Sequence, residues 1–300
     1  MKLSPALLFT FLKSEIQPSP RLPATCPRSP NTVRTRSGTL DELNLNLCTL
    51  RDIALDVATG EGSRFADVYW PMLTAGFTAR ARYGGNPEVP YAFGGRDGIH
   101  PNWAGHLVMA YAFLRGLGLD GDQGTITVDM KTKSAQATAG HVVDHFDGYE
   151  LAITSHRYPF YADGPVERDD SIRSGMSLVP FNAQLNRFTL VIHGDPKAHY
   201  SIQWGDEMRI LTAAELEAGV NLAEEFPKNP FGPAFARVDE AVAAKQAYET
   251  KQVREILHGA EGKADLGGAV TRTEAERARL VQAIHKAFVP VSYTLHISAW

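Results

Sequence analysis

The sequence predicts a mixed α/β protein: an α/β layer, then a β-sandwich-like region, then a helical extension. Three patterns carry this. Between Thr39 and Gly116, two stretches of helical period enclose a short apolar strand. From Thr125 the chain changes to short alternating runs divided by turn residues. Beyond Leu211 apolar residues return at helical spacing over two long stretches. The organisation read from these shifts is a disordered or atypical leader over 1–38, the α/β layer over 39–122, a β-rich domain over 123–211 and a helical extension with a final strand over 212–300.

A chain of 300 residues can bury a sizeable core and is long enough for two domains. Its 44% hydrophobic and 21% charged residues are those of an ordinary globular protein. A net charge of −4 gives no basic field for nucleic acid. Two cysteines, Cys26 and Cys48, make no disulfide framework and lack zinc-site spacing. No run reaches the length of a membrane span.

Within the leader, Lys2 and the apolar run Pro5–Leu12 have the outline of a signal peptide. Lys13 and Glu15 arrive early, however, and no small-residue cleavage site follows. The Pro-, Ser-, Thr- and Arg-rich stretch from Ser14 to Ser37 has no structural period. Thr39 and Glu42 then form a capping-box pattern. Leu40, Leu43, Leu47, Leu50, Ala54 and Val57 continue it as one apolar stripe, stopped by Gly60. Phe65–Trp70 reads as a strand closed by Pro71, and Gly84-Gly85-Asn86-Pro87 as a turn.

The chemistry concentrates in Gly94-Gly95-Arg96-Asp97-Gly98-Ile99-His100-Pro101-Asn102-Trp103-Ala104-Gly105-His106. Pro101 suits the start of a helix, and Ala104, Leu107, Val108, Tyr111 and Leu114 carry that helix to about Gly116. Asp97 and His100 fall three residues apart on a glycine-loosened loop just before it. The carboxylate would take the Nδ1 proton of the imidazole and leave Nε2 free as a base, which makes the two residues an Asp–His pair of a catalytic triad.

This block, Asp-Gly-Ile-His-Pro followed by a Gly-His helix, resembles the last conserved block of the SGNH (GDSL-type) hydrolases. The resemblance covers about residues 39–120. It implies a partial flavodoxin-like SGNH hydrolase layer in which Asp97 and His100 serve a nucleophilic serine in ester hydrolysis. The implied substrate is a small-molecule or carbohydrate ester, with no metal or organic cofactor, and the implied location is secreted or periplasmic. The family's Gly-Asp-Ser block does not occur anywhere in the chain, and Gly85-Asn86-Pro87 does not match its oxyanion Gly-x-Asn-Asp block. The expectation is therefore a truncated or inactive form lacking the serine. Its missing sheet front would leave Phe65, Val68 and Leu107 uncovered and favour self-association through an exposed sheet edge. The alternative is a non-catalytic remnant whose β region binds carbohydrate or a partner.

Asp120-Gly121-Asp122-Gln123-Gly124 reads as a linker turn, because the later Glu of a calcium loop is absent. Beyond it, strands are expected at Thr125–Met130, Tyr149–Thr154, Met176–Pro180, Phe188–Ile192 and Tyr200–Trp204. Thr212 and Glu215 make another capping box. The long helices run from Phe235 to Val253 and from Thr271 to Phe288, and Pro290–Ile297 returns as a strand. Among other candidates, Asp97, His100 and His106 are too widely projected for a metal site, and the His141, Asp144, His145 cluster reads as a solvated turn. Arg96 reads as a surface salt bridge, Trp103 as either cleft lining or packing, and Trp204 as core.

Overall fold

The protein, a computed structural model, is described here over residues 22–23, 40–84, 91–95 and 97–300. Most of the leader, Cys26, the Thr39 cap, the Gly85-Asn86-Pro87 turn and Arg96 lie outside these residues. The described chain is a mixed α/β structure with two substantial sheets and flanking helices.

The front layer is mainly helical. Helix Leu40–Gly60 leads into a two-residue strand, β2 (Phe65–Ala66), which pairs in parallel with β1 (Leu22–Pro23). The strand expected over Phe65–Trp70 stops there, because a helix spans Tyr69–Tyr83. Pro71 falls in that helix's first turn, where a missing N–H costs nothing. Asp67 Oδ1 accepts the Trp70 N–H at 3.3 Å. The next helix, Trp103–Gly116, lies where its periodicity placed it. Its Ala104, Val108 and Ala112 pack with Met72, Ala75 and Ala79, while Leu107 and Tyr111 pack with Ile172, Phe181 and Leu185.

The expected strand at Met176–Pro180 is instead the end of a helix, Ile172–Leu178, and the turn that follows it. Ser171 caps it by accepting the Ser174 N–H at 3.3 Å, a local signal that outweighs the alternating pattern after it. Gly175 lets this helix approach closely, since a Cβ there would lie 2.5 Å from the Ala104 carbonyl oxygen. The packing of these helices corrects the expected uncovered faces: Val68 and Leu107 are buried and Phe65 is half-buried.

The back of the molecule holds nine strands: β3 (Asp122–Asp129), β4 (Ser134–Ala137), β5 (His141–Phe146), β6 (Glu150–Ser155), β7 (Arg187–His193), β8 (His199–Trp204), β9 (Glu207–Thr212), β10 (Val220–Asn221) and β11 (Val291–Ala299). One sheet runs β10-β7-β3-β4, with β3 and β7 parallel. The other runs β5-β6-β11-β8-β9 and is antiparallel throughout. The last strand therefore sits at the centre of its sheet, between β6 and β8. Alternate residues point inward, among them Ile126 and Val128, Phe188, Leu190 and Ile192, Ile202 and Trp204, and Leu295 and Ile297. The two sheets share this core with Phe231, Phe235, Val238 and Val242 along helix Gly232–Lys251. Trp204 is its centre, with ring centroids of Tyr293 at 5.4 Å, Phe231 at 5.7 Å and Phe226 at 5.8 Å.

Helix Gly232–Lys251 continues into a π-helical turn, Gln252–Leu257, and helix Leu266–Ala287 returns alongside it. The second helix begins five residues before Thr271 because Asp265 caps it, accepting the Gly268 N–H at 2.9 Å. Among the described residues no helix is long and apolar enough to cross a membrane.

Candidate functional site

The Asp97–His100 loop is built by close backbone approach. Gly95 has φ +78°, and a Cβ on it would lie 1.9 Å from the His100 carbonyl oxygen, so only glycine lets the loop close. Its N–H donates to the Ala92 carbonyl at 2.7 Å, and the Gly98 N–H donates to the Gly95 carbonyl at 3.1 Å. On the far side, a Cβ on Gly105 would lie 2.5 Å from the Pro101 Cβ and 2.9 Å from the Phe93 carbonyl oxygen. Gly95 and Gly105 are thus a steric requirement of folding this turn onto the helix.

Inside the turn, Asp97 Oδ1 accepts the Ile99 and His100 backbone N–H groups at 2.9 and 3.0 Å. Its other oxygen lies 2.6 Å from His100 Nδ1. An ionised carboxylate only accepts, so Nδ1 carries the proton and Nε2 is left as the acceptor. The His100 side-chain bond, followed by the two backbone donors, holds the Asp97 carboxyl well below the usual carboxylate range. The pair is open to solvent, with side chains 85% exposed at His100 and 52% at Asp97. Among the described residues His100 makes a side-chain hydrogen bond to Asp97 alone.

Asp169, which the sequence reading did not single out, ties both flanks of the loop to the rest of the molecule. Its Oδ2 accepts the Ala92 N–H at 2.7 Å and the Asn102 side-chain amide at 2.9 Å. Its backbone carbonyl accepts the Ala104 N–H at 3.0 Å, satisfying one of the orphan donors at the helix start. Asn102 occupies the N-cap position without capping through its side chain. Tyr91, just upstream, stacks on Tyr83 at 4.9 Å and shares a 2.6 Å hydrogen bond with the buried Ser174 hydroxyl. The only local sign of Asp169 is the charged run Arg168-Asp169-Asp170, which lies too far along the chain to be linked to His100 by spacing.

The remaining candidates do not join this pair. His106 is half-buried inside the helix, its ring 6.5 Å from that of Trp103, and burial pushes its pKa down. His141 is buried on β5, which corrects the solvated-turn reading for that residue, while Asp144 and His145 on the same strand are exposed. Its Nε2–H donates to the Gln123 carbonyl at 2.8 Å, so its Nδ1 accepts from the Ser155 hydroxyl at 2.8 Å. Ser155 in turn lies 3.1 Å from the Tyr293 hydroxyl. This is a serine–histidine contact sealed in the core, and burial lowers the His141 pKa. His193 instead meets Glu217 at 2.9 Å on the surface. Trp204 is core, as expected. Among the described residues no group of three or more His, Cys, Asp or Glu is placed to hold a metal ion.

Trp103 lines a cavity of about 640 Å³ next to the loop. Its other walls come from the segment around Tyr161–Ile172 and from the first two turns of helix Gly232–Lys251.

The fold is shared with an enzyme of known structure. That protein is BT4096, described as a gut microbial diltiazem-metabolizing enzyme. The two chains superpose with a TM-score of 0.65 at 19% sequence identity, over 96% of this chain and 74% of the other, a likeness that concerns the fold. No protein-family model matches the sequence, and no curated protein matches it at a significant level.

Proposed function

We propose that Asp97 and His100 are the Asp–His pair of the catalytic triad of an SGNH-type ester hydrolase site, set in the partial flavodoxin-like layer that the Asp-Gly-Ile-His-Pro block implies. The observation that carries the reading is the 2.6 Å bond from His100 Nδ1 to Asp97, which leaves an exposed Nε2. In the complete reaction Nε2 takes the proton of a serine hydroxyl as it attacks the ester carbonyl, and later returns it to the leaving alcohol. Asp97 keeps the ring oriented and stabilises the imidazolium, its own carboxyl already held in the charged form. The structural neighbour lends support, because diltiazem is an ester-containing drug.

The serine and its oxyanion donors are not assigned to any of these 300 residues. We take this chain to lack them, since no Gly-Asp-Ser block occurs in it. A non-catalytic binding role is the second reading. It is favoured by the solvent-facing Nε2, which among the described residues has no hydroxyl partner.

Hydrolysis of p-nitrophenyl acetate tests the proposal. The 300-residue chain should turn over no faster than its Asp97→Ala and His100→Ala variants. A chain in which residues 1–38 are replaced by a segment read from the genomic DNA before codon 39 in another frame, where that segment encodes a Gly-Asp-Ser block, should be active. It should then lose on the order of 10³-fold or more in either variant. Activity of that replaced chain that survives His100→Ala would discard the mechanism.

A further inference from the structure

The cavity beside Trp103 has a volume of about 640 Å³, within the range of small-molecule sites. Trp103, Tyr161 and Phe235 give it three aromatic walls, and Ile172, Pro233 and Ala236 add apolar surface. Phe235 and Ala236 stand three and four residues after Gly232, so one face of helix Gly232–Lys251 forms its side. A Cβ on Gly232 would come within 3.1 Å of the Tyr161 ring, so the glycine lets that ring lie against the helix.

Most polar groups of the lining are committed to the protein itself. Asn229 donates to the Phe226 carbonyl at 3.0 Å and accepts the Phe231 N–H at 3.1 Å. The Ser171 hydroxyl accepts the Ser174 N–H at 3.3 Å. Asp170 accepts two bonds from Arg168, at 3.0 and 2.5 Å. Asp239 is 3% exposed and is engaged inside the protein. The charges left over are those of Asp163 and Lys228, both exposed and opposite in sign.

This balance selects among ligands. An ion entering the cavity would give up its water and meet no excess of opposite charge. A sugar would bring several hydroxyls to a lining whose hydrogen-bonding groups are mostly in use, and each hydroxyl left unpaired is costly. A flat apolar ring exchanges water for three aromatic faces and incurs neither cost. One polar group on such a ring can be answered by the single polar groups of Trp103 and Tyr161.

We infer that this cavity binds an uncharged aromatic molecule that carries one hydrogen-bonding group. The site is distinct from the Asp97–His100 pair and does not depend on the hydrolase reading, because neither residue lines it.

Titration of the full chain with benzyl alcohol, phenylacetate, benzyltrimethylammonium and methyl glucoside, followed by calorimetry and tryptophan fluorescence, tests this. Benzyl alcohol should bind tightest of the four, by roughly three-fold or more, and should perturb the fluorescence of wild type more than that of Trp103→Phe. Ala236→Phe fills the cavity from a half-buried helix position and should weaken benzyl alcohol binding by on the order of ten-fold. Asp163→Asn and Lys228→Gln alter exposed side chains and keep the fold, and each should leave benzyl alcohol binding within about two-fold of wild type. His100→Ala should bind benzyl alcohol like wild type, which separates this result from any failure of the ester-hydrolase reading. Tighter binding of either ion or of the glucoside, no saturable binding of benzyl alcohol, a larger loss in either charge variant, or an affinity unchanged by Ala236→Phe would each overturn the inference.

Discussion

The front and back of this molecule build cores of very different size. In the back, two sheets close over Trp204, Phe188, Phe226 and Phe231, each essentially inaccessible to solvent. In the front, β1 and β2 make a ladder only two residues long. There Ile53 on helix Leu40–Gly60 is 53% exposed and Phe77 on helix Tyr69–Tyr83 is 61% exposed, with Leu45, Leu50, Val57 and Trp70 exposed as well. The back therefore has a complete core of its own. The front packs Met72, Ala75, Ala79, Ala104 and Val108 into a smaller core, is tied down by the Ile172–Leu178 helix and Asp169, and carries the Asp97–His100 loop.

The largest expected effect sharpens this contrast. Trp204→Ala should cost about 3–5 kcal/mol in urea unfolding, while Phe77→Ala should stay within about 0.5 kcal/mol. A comparable loss for Phe77→Ala would break the contrast, showing that the front face is covered in solution. Next comes the loop itself. Gly95→Ala combines a disfavoured φ with a backbone collision and should cost about 1–3 kcal/mol. Hydrogen exchange should then quicken at Ala92 and Ala104 and stay unchanged in β6 and β8. Uniform quickening in both regions would mean that the front and back unfold as one unit.

The smallest effect is a pH dependence seated in the back. Burial depresses the His141 pKa below the ordinary value of about 6.5, so the unfolded chain takes up a proton that the folded chain resists. That contribution to stability is present above about pH 6.5 and is lost as the pH falls below it. His106, also depressed by burial, acts in the same direction. Urea midpoints should therefore drop from pH 7.5 to pH 5 in wild type, and drop less in His141→Gln. An equal drop in both would remove His141 from the explanation.

What could be read from the sequence was local. The turn around Asp97 needs only Gly95, Gly98 and Pro101 to bring a carboxylate to an imidazole three residues on, and the bond is present at 2.6 Å. The strands holding Ile126, Ile153, Leu190 and Ile202 alternate because both sheets bury one face. Features set by distant partners were not legible. The Met176–Leu178 region became helical because Ser171 caps it and because Gly175 fits against Ala104. His141 is buried because Ser155 and the Gln123 carbonyl satisfy both ring nitrogens. Asp169 reaches Ala92 and Asn102 across a separation that no spacing rule covers.

The central claim is that Asp97 holds the proton of His100 on Nδ1 and keeps Nε2 free as a base. Long-range ¹H–¹⁵N correlation spectra of histidine-labelled protein above pH 7.5 test it, with the His100 ring signals assigned by their loss in His100→Ala. The wild type should show His100 as the Nδ1–H tautomer, and Asp97→Ala should shift it toward Nε2–H. A wild-type His100 already in the Nε2–H form, or a tautomer indifferent to Asp97→Ala, would contradict the claim.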